Sequence, residues 1–406
     1  MNTMSTILKT NFNSHSDYSL QLNRWFLKPI GAWPPLSTTS KLERNISIIL
    51  NIVCYISIIF TTIPCLLHVL LENENLYTKL KNFGPISHLL FSCANYTILL
   101  LRQKEIRYCV EHIETDWRIV TREKDQQVML ENARFGRYVA TFCAAFMHSG
   151  VLCFYAVAAL NTEMIQVRNE TRIVHVLPVA AYKKLLNYDE SPTNEIVVFM
   201  QIWSSFIASC STIGIFSLVA VLATHAYGQL SVLMVWIKEF VNESRNQKKM
   251  FPFEQIGFIV EHHLRVLSFI SCIEEVMNRI CFLELFRCTM AMCMLGYYIL
   301  MEWSEQDIQN LSSYFMILVS LCFNIFVICY IGEILAEQCR KVGDVVYMTK
   351  WYYLPDKTIL DLILLIARSS VVVQITAGKF FHLSIYTFGD VIKTSFAYLN
   401  ILRQVS

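Results

Sequence analysis

The chain has 406 residues, of which 54% are hydrophobic and only 16% charged, with a formal net charge of +2. The net charge itself says little, and no nucleic-acid partner is expected; a mean hydropathy of +0.42 is high for a water-soluble chain of this length and argues against that class. The apolar residues are concentrated, because Asn45–Leu71, Asn82–Leu101, Tyr138–Thr162, Ile196–Ile237 and Ile308–Gly332 contain no Asp, Glu, Lys or Arg. Each run is long enough, or nearly so, to cross about 30 Å of hydrocarbon as a helix. A β-barrel would need short alternating segments instead. The composition therefore predicts an all-α polytopic membrane protein.

Met1–Arg44 is polar, with Asn11, Asn13 and Asp17 where a cleavable signal would be apolar. The first span, Asn45–Leu71, then acts as a signal anchor that leaves the N-terminus in the cytosol. Phe83–Leu101 is the second span and Tyr138–Leu160 the third. Ile196–Ile237 is too long for a simple crossing but has no Pro–Gly turn or charge to divide it, so it reads as one helix projecting into the cytosol. Phe258–Met301 reads as a long fifth helix whose charged first half stands below the membrane. Ile308–Ile331 is the sixth span, and His382–Leu402, with Asp390 and Lys393, the seventh.

Seven spans with the N-terminus inside put the C-terminus outside, and the basic residues agree with that orientation. Eight lie between Arg102 and Arg137 on the predicted cytosolic side, and none lies in the outer loop Glu302–Asp307. A six-span reading with the C-terminus inside remains open. Asn169–Glu170–Thr171 is a glycosylation acceptor in the outer loop after the third span.

The 14 cysteines sit mostly in apolar runs, where cysteine is a small hydrophobe, and no spacing suggests a zinc site. No metal or other cofactor is expected, and the catalytic motifs of hydrolases, metalloproteases and phosphate-binding loops are missing, so the chain reads as a non-enzyme. His262–His263 reads as a surface pair on an amphipathic helix. There is no charged triplet after the third span of the kind G-protein-coupled receptors carry, and no internal repeat of the kind transporters carry.

Large aromatic and sulfur side chains gather toward the outer halves of the spans. They are Phe154 and Tyr155; Phe199, Met200 and Trp203; Met294, Tyr297 and Tyr298; and Tyr314 and Phe315. Such a set suits a small, neutral, mostly apolar ligand oriented by a hydroxyl or two, or alternatively ordinary helix packing with an interfacial aromatic belt. No carboxylate or basic residue is expected in the outer bundle core. Asp390 and Lys393 lie three apart on one helical face, either beside a wetted path or paired near the cytosolic end of the span.

From the sixth span onward the chain resembles an insect odorant receptor. The resemblance rests on Gly332–Glu333, Trp351–Tyr352, Arg368–Ser369, Thr376–Ala377–Gly378–Lys379, Leu383–Ser384, Thr387–Phe388, Lys393–Thr394–Ser395, Tyr398 and Leu402, in that order. Ser370 and Val372 depart from the family pattern, which has Gln and Pro there. The linker Asn242–Phe253 is short, which resembles a ligand-tuning subunit and not the co-receptor. The resemblance implies a ligand-gated, non-selective cation channel: a tetramer with the co-receptor in the plasma membrane of olfactory sensory neurons, with membrane lipids around it. It implies an odorant pocket between the second to sixth helices and a pore lined by the last helix, with Asp390 and Lys393 on it, Ile401 as hydrophobic gate and Gln404 as polar constriction. Arg403 stands where an apolar residue is expected; a mixed tetramer holds fewer copies of this charge at the pore, and an outward turn to lipid headgroups is the other way to accommodate it. The implied division is a cytosolic segment over 1–44, helices one to four with the outer pocket over 45–237, the long helices and cytosolic anchor with the first part of segment seven over 238–381, and the pore helix over 382–406. A gustatory-receptor-type channel and a membrane transporter or scaffold are the alternatives.

Overall fold

The structure is a computed structural model that describes residues 2–37, 39–167, 170–245, 252–305, 308–371 and 373–405. Ten α-helices, two short hairpins and one 3-10 turn make up the described residues. Asn2–Leu27 forms α1, Lys41–Leu71 α2, Leu76–Leu101 α3, Gln103–Ile119 α4 and Glu123–Leu160 α5. An antiparallel hairpin of β1 (Thr162–Val167) and β2 (Glu170–His175) follows, with Thr162 opposite His175. Then come α6 (Thr193–Arg245), α7 (Pro252–Glu305), α8 (Ile308–Met348), the 3-10 turn Trp351–Tyr353 and α9 (Asp356–Ser370). A hairpin of β3 (Thr376–Ala377) and β4 (Phe381–His382) leads into α10 (Ile385–Val405).

Local sequence explains the helix starts. Ser40 accepts from the Glu43 N–H at 3.2 Å, and the Glu43 carboxylate accepts from the Ser40 N–H at 3.3 Å. That capping box satisfies donors that the first turn of α2 would otherwise leave open. Asn75 caps α3 by accepting from the Thr78 N–H at 2.8 Å. Pro64 lies inside α2 without ending it, and its carbonyl accepts from the Tyr182 N–H at 3.0 Å.

Among the described residues six helices, α2, α3 and α5 to α8, are long and apolar enough to cross a membrane. The chain is an all-α polytopic membrane protein. With Asp390, Lys393 and Arg403 in its 21 residues, α10 falls outside that set. The undivided reading of the fourth span agrees with α6, a single helix of 53 residues, or about 80 Å of axis. At 54 residues α7 is as long, and at 41 residues α8 runs well past the sixth predicted span.

At the bundle centre, α6 packs on α1, α2, α3, α5, α7 and α8. Its apolar window is 94% buried against 28% for α2. On α2, Ile49, Ile52, Ile56, Ile59 and Ile63 recur at helical spacing yet are all exposed. An apolar stripe turned outward suits a hydrocarbon solvent, and polar groups collect inside instead.

One reading of the sequence is extended and another changes. The polar N-terminal segment folds into α1, whose Leu20 and Leu27 are fully buried in the main core with Ile30 and Trp33. His263 is buried, so His262–His263 is no surface pair, because the first half of α7 is covered by α6 and α9. The His262 ring lies 4.7 Å from that of Trp236 on α6.

Candidate functional site

A tyrosine cluster is built by the first turns of α3, the end of α7 and the start of α8. Tyr297 is buried, with its ring 6.2 Å from Tyr77 and 6.3 Å from Tyr298. Tyr298 lies 5.5 Å from Tyr314 and donates to the Leu80 carbonyl. The approach is close because Gly84 faces this ring, and a Cβ there would stand 3.1 Å from the Tyr298 hydroxyl.

A buried carboxylate completes the cluster. Glu302 is 3% exposed and accepts from the Tyr77 hydroxyl at 2.7 Å and the Lys81 ammonium at 2.9 Å. This corrects the reading that no acidic or basic residue reaches the outer core. Glu302 ends an apolar run, and its position in the sequence suggested a loop; α7 in fact carries it to Glu305. Its partners could not be found from spacing, since Tyr77 and Lys81 lie more than 200 positions away.

The other aromatic candidates divide. Tyr155 is buried and receives a hydrogen bond from Ser205, tying α5 to α6, while half-buried Phe154 packs edge-on at 5.2 Å. Met200 and Met294 are half-buried. Phe199 and Trp203 stack with ring centres 6.5 Å apart on the outer surface, at 62% and 39% exposure. Phe315 is also exposed. Asn169 lies outside the described residues.

Below this level the residues behind the resemblance converge on the root of α10. Gly332 of α8 faces the backbone of Leu383, where a Cβ would sit 2.6 Å from the Leu383 carbonyl oxygen. The Glu333 carboxylate accepts from the Ile385 N–H at 2.7 Å, and Ser384 accepts from the Thr387 N–H at 3.2 Å. Both satisfy open donors at the N-terminus of α10, where negative charge is also favoured. The β3–β4 turn requires left-handed backbone at Gly378 (φ 64°) and Lys379 (φ 63°). The Gly378 N–H donates to the Asn278 carbonyl at 2.7 Å, and the Thr376 hydroxyl to Glu274 at 2.6 Å. The turn is thereby fastened to α7.

From this root α10 packs one face on α7 and α8. Ser395 donates to the Thr289 carbonyl at 3.3 Å, and Leu399 covers Gly296. The opposite face is open. Lys393 and Asp390 lie there 4.0 Å apart, with Phe396, Tyr398, Ile401 and Gln404 also exposed.

One group with metal-capable atoms occurs among the described residues, namely His112, Asp116 and His225, with those atoms within 4.8 Å of one another. Asp116 is already engaged by Arg265 at 2.6 Å and by His112 and His225 at 3.0 Å. Burial works to raise its carboxyl pKa, but the two imidazoles outweigh that and hold it well below the usual range. An internal ion network accounts for the cluster.

The model of the 7tm odorant receptor family matches residues 75–396, most of the chain and all of the convergence at α10. The chain belongs to the insect odorant receptor family. It is similar to odorant receptor 10 of Aedes albopictus, with 21% identity over 57% of this chain and 61% of that one. It is also similar to odorant receptor 13a of Drosophila melanogaster, with 25% identity over 55% and 57%. The alignments thus span about three fifths of those relatives. In fold the receptor resembles the insect olfactory receptor OR5 from Machilis hrabei, with a TM-score of 0.78 at 16% identity over 96% of this chain and 100% of that one. The same protein in complex with eugenol gives a TM-score of 0.79 at 15% identity over the same shares. The family is one of receptors, and its fold is not a catalytic one.

Proposed function

We propose that the receptor is the odorant-tuning subunit of a ligand-gated, non-selective cation channel, assembled as a tetramer with the co-receptor in the plasma membrane of olfactory neurons. The observation that carries this reading is that α7 and α8 bear both the buried tyrosine cluster at their outer ends and the packed face of α10. A ligand that shifts the first is mechanically connected to the second. In this reading α10 is a seventh span, the N-terminus is cytosolic and the C-terminus extracellular. The segments 1–44, 45–237, 238–381 and 382–406 then serve as cytosolic segment, pocket bundle, anchor and pore helix.

The pocket would draw on Phe154, Tyr155, Met200, Met294, Tyr297 and Tyr314, with Tyr77 and Glu302 added. Phe199, Trp203 and Phe315 point outward here and would meet lipid or another subunit. Because Lys81 already neutralises Glu302, the favoured ligand remains neutral, apolar in bulk, with one hydrogen-bonding group for a tyrosine. The open face of α10 would line the pore, with Asp390 and Lys393 wetted, Ile401 as gate and Gln404 as constriction.

The test is current in cells expressing the chain, the co-receptor or both, challenged with a panel of neutral volatiles that includes eugenol. A cation current that needs both subunits and follows the panel selectively is expected, and Ile401→Ser should add leak without ligand by keeping the gate wet. Silence to every member with both subunits at the surface would count against the channel reading. For orientation, a tag before Met1 should react only after permeabilisation and a tag after Ser406 on intact cells. Both tags on one side would sink the seven-span topology.

A further inference from the structure

Helices α4 and α7 run antiparallel, and their contacts recur one heptad apart. Asp116 of α4 meets Arg265 of α7 at 2.6 Å. Seven residues back along α4 and seven forward along α7, the thiols of Cys109 and Cys272 lie 3.4 Å apart and share a hydrogen bond. Farther along the seam Arg102 meets Glu275 at 3.5 Å. Ion pairs on both sides hold the register, so the two sulfurs face each other. Cys109 is fully buried, whereas Cys272 is partly open to solvent.

We propose that Cys109 and Cys272 are a redox-active pair that hydrogen peroxide converts to a disulfide, stapling α4 to α7 and damping the response to ligand. A disulfide has a length of about 2.05 Å, so closure needs roughly 1.4 Å of approach. That is the scale of a side-chain adjustment at the less confined Cys272. The shared hydrogen bond favours one thiolate, which is the reactive form.

The chemistry balances with peroxide as the only oxidant. The Cys272 thiolate attacks one peroxide oxygen, the O–O bond breaks and hydroxide leaves, giving a sulfenic acid. Cys109 then attacks that sulfur and the S–O bond breaks. Its thiol proton leaves with the departing hydroxyl as water. The hydroxide of the first step takes up the proton that Cys272 gave up on ionising, so two thiols and one hydrogen peroxide yield one disulfide and two waters. On the cytosolic placement proposed above, glutathione keeps the pair reduced at rest and restores it by exchange.

The effect on the response rests on the channel reading. The helix so fastened, α7, carries Tyr297 and Glu302 at its outer end and supports α10 through Thr289 and Gly296. A staple restrains it on the cytosolic side.

The test treats cells expressing the full chain and co-receptor with hydrogen peroxide, alkylates remaining thiols with N-ethylmaleimide and maps peptides without reduction. A peptide linking Cys109 to Cys272 should appear as alkylation of both is lost, and dithiothreitol should reverse this. Current evoked by an agonist from the volatile panel should fall with the link and recover with dithiothreitol. Cys272→Ser and, separately, Cys109→Ala should abolish link and peroxide sensitivity while leaving the untreated current. Two thiols that stay alkylatable, or a link with unchanged current, would overturn the proposal. Absence of current before any peroxide, with both subunits at the surface, speaks against the channel reading, and the linked peptide alone then decides whether the pair is redox-active.

Discussion

Arg287→Leu is expected to strip the receptor from the cell surface and lower its stability in detergent by about 3–5 kcal/mol. The Glu284 side chain is 1% exposed and that of Arg287 4%, with Nη2 to Oε2 at 2.6 Å and Nε to Oε2 at 3.0 Å. Asn95 donates to the other carboxylate oxygen. A carboxylate among apolar helices is tolerable only while paired, and the leucine leaves it without its counter-charge. Changing both residues, Glu284→Leu with Arg287→Leu, removes the charges together and should recover most of the loss. Surface biotinylation and thermal melting by fluorescence size-exclusion on both single variants and the double variant measure the cycle. A single variant as stable as the parent would mean that water reaches the pair.

Gly332→Val should silence the receptor. A Cβ at this position would meet both the Cβ and the carbonyl oxygen of Leu383 at 2.6 Å, and a backbone atom cannot swing aside as a side chain can. Either α8 retreats from the root of α10 or the Leu383 turn moves, at a cost of about 1–3 kcal/mol for overpacking. Both carry the Glu333 carboxylate away from the Ile385 N–H. The neighbouring Glu333→Gln keeps the shape and loses only the charge, so it should retain partial response. Agonist-evoked current normalised to surface protein separates the two variants. Normal current in Gly332→Val would show that the close approach is unnecessary for gating.

The spans were legible wherever charge marks the change of solvent. That signal finds membrane boundaries and not helix ends. For this reason Ile308–Ile331 stopped short, while α8 continues through Glu333, Glu337, Arg340 and Lys341 to Met348. Continuity of α6 could be read from the lack of any charge or Pro–Gly turn in its middle. The convergence at α10 was legible only as residues in order: Gly332 and Leu383 are far apart in the chain, and nothing in their spacing announces contact. The inward faces of the outer aromatics were not legible either, since one turn carries buried Tyr297 and half-buried Met294 while another carries exposed Phe199 beside half-buried Met200. Membrane helices weaken the usual rule, because large apolar side chains suit lipid as well as core. The Glu302–Lys81 pair was missed because a charge at a span end looks the same in sequence whether it faces water or a neighbouring helix.

The contrast between α2 and α6 has a consequence for how the bilayer acts on the receptor. Neighbouring helices screen nearly all of the apolar stretch of α6 from lipid, so its depth is set mainly by protein contacts, whereas the outward isoleucines of α2 are gripped by the hydrocarbon itself. A thicker or thinner membrane therefore pulls first on α2 and on the loop it shares with α3, and the central helix stays as the stator against which that strain is felt.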